Sequence, residues 1–134
     1  MQAVVRRDDG RVVCERCVLA DTALARMRGL LGRTSLPSGE GMLLRPTSSV
    51  HTAFMRFAID VVFLDKGNEV VKVAAEIRPW RAAACRGARA VLELPAGEAA
   101  KRCLRPGVSL TQVWRSEPAA RRRAQTPPAP RATT

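Results

Sequence analysis

The stretch Ile59-Asp60-Val61-Val62-Phe63-Leu64-Asp65-Lys66-Gly67-Asn68-Glu69-Val70-Val71-Lys72-Val73 decides the fold. Two β-branched and aromatic runs flank Asp65-Lys66-Gly67-Asn68, a segment in which every residue favours a turn. The reading is a hairpin of Ile59 to Leu64 with Glu69 to Ile77. In the second strand Val71 and Val73 alternate with Lys72, so one face of that strand is wet. Asp60 stands between Ile59 and Val61, a carboxylate that is either on a wet face or buried and paired.

Outward from this hairpin the same pattern repeats in shorter pieces. Ala3 to Arg7 and Arg11 to Leu19 read as strands around Asp8-Asp9-Gly10, a hairpin signal. Asp21 is placed to cap a helix from about Thr22 to Leu30. Gly41 to Arg45, Val50 to Phe54, Ala90 to Leu94 and Ser109 to Trp114 read as further strands, and Gly97 to Leu104 as a short helix. The total is about seven short strands and one or two short helices, joined by turns rather than by long crossovers. The expected fold is mainly β (α+β), a compact antiparallel sheet curled into a barrel-like or sandwich form. Parallel βαβ architecture is not expected.

The chain has 134 residues, which suits one domain, and a net charge of +11. Residues 116–134 hold four Arg, four Pro and one Glu with almost no large apolar side chain. They read as a disordered tail behind a single globular domain, residues 1–115. Of the 23 basic residues all but Lys66, Lys72 and Lys101 are Arg, a skew that biased coding composition also produces. No apolar run reaches the length of a membrane span. Met1 to Arg7 lacks the apolar stretch of a signal peptide, so the expected location is cytoplasmic.

Few motifs carry chemistry. Cys14-x-x-Cys17 has no second ligand pair at comparable spacing, and on one strand a spacing of three points the side chains to opposite faces. Both read as ordinary thiols, with no metal or cofactor expected. His51 is the lone histidine, close to Ser48, Ser49 and Thr52 but outside any nucleophile elbow. Asp60 and Glu93 are carboxylates within apolar strands, read as paired with Arg33 or Arg56, or as an acid–base pair. Phosphate-binding glycine loops are absent. Single-strand nucleic-acid binders interleave basic and aromatic residues. Here Phe54 and Phe63 read as core and Tyr is absent, so nucleic acid is an unlikely partner.

Seven segments in order carry a family pattern. They are Arg28-Gly29-Leu30-Leu31-Gly32-Arg33, Gly41-Met42-Leu43-Leu44, His51-Thr52-Ala53-Phe54-Met55, Ile59 to Asp65, Val70-Val71-Lys72-Val73, Pro79-Trp80-Arg81 and Val91-Leu92-Glu93-Leu94-Pro95-Ala96-Gly97. Together they closely resemble the bacterial and archaeal domain-of-unknown-function family 192, from about Arg16 to Trp114. The resemblance implies a small, mostly β domain with a helix before the Gly-Leu-x-Gly-Arg segment, and no established activity. It also implies that relatives are often exported.

Two functions follow as expectations. The first is a non-enzymatic binding or accessory module for a small ligand or protein. Its cleft would be lined by Met42, His51, Met55 and Trp80, with Arg33, Asp60 and Glu93 as polar members. The second is a small hydrolase or isomerase using Asp60 or Glu93 with His51. A third, weak nucleic-acid or polyanion binding through the Arg-rich surface and tail, ranks below both.

Overall fold

A computed structural model describes residues 2–20 and 34–114. The expected helix at Thr22 to Leu30, Arg33 and the expected tail at 116–134 lie outside the described residues. The rest is mostly strand, as the apolar runs require. The strands are β1 (Gln2–Arg6), β2 (Val12–Cys14), β3 (Arg16–Ala20), β4 (Glu40–Leu44), β5 (Ser49–His51), β6 (Ile59–Leu64), β7 (Val70–Ile77), β8 (Ala82–Ala84), β9 (Ala90–Pro95) and β10 (Leu110–Trp114). Among the described residues one short helix, α1 (Glu98–Lys101), precedes the last strand.

These form three sheets. The largest has the order β3-β4-β9-β6-β7, a second has β10-β1-β2, and β5 pairs with β8 alone. The β6–β7 hairpin lies where the central turn puts it. The Asp65 carboxylate accepts the N–H groups of Gly67 at 2.8 Å and Glu69 at 3.0 Å, and Asn68 takes the left-handed conformation at φ 64°. Pairing is antiparallel throughout except between β3 and β4, which run parallel. That pair departs from the expectation drawn from turn-joined strands.

β6 and β9 are almost wholly buried because the large sheet is covered on both faces. On one face Leu43, Val62, Leu64, Leu92 and Leu94 meet Val4, Val13 and Leu110 of the three-stranded sheet. On the other, Met42, Val61, Phe63 and Val91 meet Leu36 and Met55, with Val50 and Ala83 of the β5–β8 ribbon packed against them. The sandwich-like layering is the expected one, and no barrel closes. Gly41 marks the tightest point: a Cβ there would lie 2.7 Å from the Glu93 carbonyl oxygen and 2.9 Å from the Cys14 Sγ.

Several boundaries moved. The run Arg11 to Leu19 is not one strand, because the chain bends at Glu15, where the N–H groups of Glu15 and Arg16 both donate to the Gly39 carbonyl. β2 and β3 therefore join different sheets. The strand expected at Val50 to Phe54 ends at His51, and the helix expected at Gly97 to Leu104 is only four residues long. β8, three alanines with no periodic signal, was not expected from the sequence.

Candidate functional site

The bend at Glu15 changes the Cys14–Cys17 reading. With the strand broken, the two thiols are not directed apart: both are buried in one core cluster, where the Cys14 Sγ donates to the Gly39 carbonyl at 3.6 Å and the Cys17 Sγ to the Val18 carbonyl at 3.9 Å. The neighbouring Cys17 thiol, together with burial, pushes the Cys14 thiol up. No cluster of metal-ligating residues occurs among the described residues.

The polar motif residues among the described residues do not converge. Asp60, fully buried, faces the layer shared with α1 and binds no Arg among the described residues. Its Oδ1 accepts the Glu76 N–H at 2.8 Å and its Oδ2 accepts the Ala99 N–H at 2.9 Å. Glu93 pairs across the ladder with Met42 and Val61, and residues opposite one another in a ladder share a face. Glu93 is thus on the opposite face of the sheet from Asp60, whose ladder partner is Leu94. Burial alone pushes the Glu93 carboxyl up to about 7. The separation leaves Asp60 and Glu93 without the shared cleft that paired carboxylates need.

His51 is exposed. Its neighbour Val50 packs on the core, so the alternation of β5 turns His51 outward, away from Glu93. Met42 is 3% and Met55 7% exposed, both packed in the apolar layer, whereas Trp80 is 61% exposed. The four residues expected to line one cleft are therefore split between core and surface.

What the structure assembles instead is an exposed aromatic tip at one end of the β5–β8 ribbon. Phe54 was expected in the core, yet it is 70% exposed. Its neighbour Met55 takes the inward position. The Phe54 and Trp80 rings meet edge to face, with centroids 4.6 Å apart and planes at 60°. Both residues hold left-handed backbone, φ 64° and 63°. For bulky side chains that conformation costs roughly 1–2 kcal/mol each and persists only where the surroundings enforce it.

The enforcing residue is Thr52, fully buried between the two loops. Its hydroxyl donates to the Arg78 carbonyl at 2.6 Å and accepts the Arg81 N–H at 2.8 Å. Its own N–H donates to the Arg81 carbonyl at 2.8 Å, and its carbonyl accepts the N–H groups of Met55 and Trp80. Every polar group of Thr52 is thus spent on clasping one loop to the other.

Three arginines border the tip, and the exposed Glu76 lies two residues before Arg78. Arg56, Arg78 and Arg81 are exposed, and none pairs with a carboxylate among the described residues. The Arg81 Nη1 donates to the Trp80 carbonyl at 3.3 Å. Along the ribbon the outward residues Ser49, His51, Ala82 and Ala84 line a shallow depression of about 340 Å³ leading from the tip. Sequence reading named Trp80 and His51 as site candidates but not Thr52, Phe54 or these arginines. The available signal was the pairing of an aromatic with a nearby Arg in both loops, Phe54-Met55-Arg56 and Arg78-Pro79-Trp80-Arg81.

Comparison with known proteins agrees with this architecture. Residues 4–112 match the family described as Uncharacterized ACR, the domain of unknown function 192. A UPF0127 protein of Thermococcus sibiricus is 34% identical over 99 residues, covering 70% of this chain and 64% of that protein. The chain thus matches less than two thirds of that relative's length. A UPF0127 protein of Pyrococcus furiosus is 51% identical over 37 residues, 28% of this chain and 31% of its own. A crystal structure of a protein of unknown function from Novosphingobium aromaticivorans superposes with a TM-score of 0.71 at 26% identity, covering 82% of each chain. A putative transcription regulator from Sinorhizobium meliloti gives 0.71 at 22% identity, covering 84% of this chain and 94% of that one, and shares the fold.

Proposed function

The chain belongs to the Uncharacterized ACR family, and from that premise we propose that it is a non-catalytic binding module whose contact surface is the Phe54–Trp80 tip. The observation that carries this is two exposed aromatic residues in left-handed backbone, clasped by one buried threonine. Folding alone gives no reason to hold a large ring in water on a strained backbone. Contact with another molecule does, because aromatic rings fixed before binding lose little conformational freedom on association. His51 and the alanine-floored depression extend the surface along the ribbon. The reading of a hydrolase built on Asp60, Glu93 and His51 has no supporting geometry: two backbone N–H groups occupy Asp60, and His51 turns away from Glu93.

The test is an amide NMR titration of the full chain with polymers of different chemistry: an oligonucleotide, a polyglutamate peptide and a neutral oligosaccharide. Shifts should cluster at residues 51–56 and 78–84. Shifts confined to the basic depression around Arg6, Arg7 and Arg105, or to no region, would remove the reading.

A further inference from the structure

We propose that the aromatic tip takes single-stranded nucleic acid, an inference that rests on the tip being the contact surface. Three features point to one chemistry. The first is the stacking platform. An edge-to-face pair leaves ring faces open to solvent, and a planar base is the common biological group that stacks on such a face without needing a matched pocket. The second is charge. Arg56 lies two residues after Phe54, while Arg78 and Arg81 bracket Trp80, and none is neutralised by a carboxylate among the described residues. Basic groups beside open aromatic rings suit a polymer that alternates planar bases with phosphates. A neutral glycan would offer these guanidinium groups no counter-charge.

The third feature is access. The ribbon beyond the tip presents Ala82 and Ala84 outward, flanked by Ser49 and His51. Small side chains on an antiparallel pair leave a low floor along which a flexible strand can lie. A duplex buries its base faces in its own stack, so the tip would recognise unpaired bases. The sequence reading ranked nucleic acid as an unlikely partner, in part because it placed Phe54 in the core. With Phe54 at the surface, basic and aromatic residues are interleaved there after all.

Fluorescence anisotropy of labelled oligo(dT), about 12 nucleotides long, against the full chain tests the proposal. Binding should weaken as salt rises. Trp80→Ala should weaken it about tenfold, and Trp80→Phe, which keeps a stacking face, should restore most of the loss. The combined Arg56→Gln, Arg78→Gln and Arg81→Gln change should lower the slope of log affinity against log salt by about 2. Circular dichroism of each variant confirms folding. Absence of oligo(dT) binding overturns the proposal, as does binding insensitive to Trp80→Ala. Binding abolished by Arg121→Gln, Arg122→Gln and Arg123→Gln while the tip variants bind normally overturns it too. Binding of polyglutamate but not oligo(dT), lost in Trp80→Ala, overturns the nucleic-acid assignment while leaving the contact surface standing.

Discussion

The Oδ2 of Asp60 on β6 accepts the N–H of Ala99 in α1 at 2.9 Å, across 39 residues of chain. α1 begins after Gly97, which has no side chain to cap it, and no local side-chain cap is made. Asp60 supplies from a distance what a capping residue supplies locally. Its other oxygen accepts the N–H of Glu76, which itself holds φ 53° near the end of β7. One carboxylate thus ties the hairpin of the central sheet to the helix.

That arrangement makes Asp60 a structural residue with a measurable cost of removal. Asp60→Ala leaves two N–H groups without their acceptor, and hydrogen bonds to a charged group are worth about 1.5–3 kcal/mol each. The expected loss is about 3–5 kcal/mol, read from the urea midpoint. Asp60→Asn retains one carbonyl acceptor and should lose less. A variant Asp60→Ala as stable as the parent would show that the two bonds contribute nothing net.

Glu93 should make stability depend on pH in a definite direction. Its carboxyl titrates at about 7 in the folded chain against an ordinary 4.5. The folded state therefore holds the proton more tightly. Below about 4.5 both states are protonated and there is no penalty. Stability falls as pH rises from there through about 7, and above that the full penalty applies, about 3 kcal/mol for a difference of this size. Glu93→Gln keeps the shape and removes the charge. It should stabilise the chain at pH 8 by up to about 3 kcal/mol and change little at pH 4. Denaturant titrations of both chains at the two pH values decide the matter, and a gain confined to pH 4 would reverse the sign.

Much of the fold was legible because it rests on local chemistry. Asp65 to Asn68 forms the expected turn with its own side-chain bonds, and Val62, Phe63 and Leu92 are buried as apolar runs require. What escaped was set by tertiary neighbours. The bend at Glu15 depends on the Gly39 carbonyl, 24 residues away in sequence. The exposure of Phe54 depends on Thr52 reaching the Arg78–Arg81 segment, and hydrophobicity alone ranked Phe54 as core. Asp60 looked like an Arg partner because sequence does not reveal that α1 lacks a cap. The candidate site was therefore read in fragments: Trp80 and His51 were named, while Thr52, which clasps the Arg78–Arg81 segment, was passed over as a neighbour of the histidine.

Thr52 can be tested as that organiser. Thr52→Val preserves shape but removes the hydroxyl, leaving the Arg81 N–H without its acceptor and the Arg78 carbonyl without its donor. The expected cost is about 1–3 kcal/mol, with Thr52→Ser close to the parent. Amide hydrogen exchange at Trp80 and Arg81 should quicken in Thr52→Val before exchange in β6 does, because the clasp opens locally. Uniform acceleration across the sheet would mean that Thr52 supports the whole fold rather than the tip.

The last prediction separates a contact residue from a core residue of the same type. Phe63 is fully buried and Phe54 is 70% exposed. Phe63→Ala removes a ring from a packed layer and should cost about 3–5 kcal/mol. Phe54→Gly loses an edge-to-face contact worth about 0.5–1.5 kcal/mol but releases left-handed strain of roughly 1–2 kcal/mol, since glycine adopts φ 64° without a Cβ clash. The two effects nearly cancel, so the urea midpoint of Phe54→Gly should match the parent within about 1 kcal/mol. Equal losses at both positions would make Phe54 a structural ring, and the strain at the tip would no longer argue for a partner.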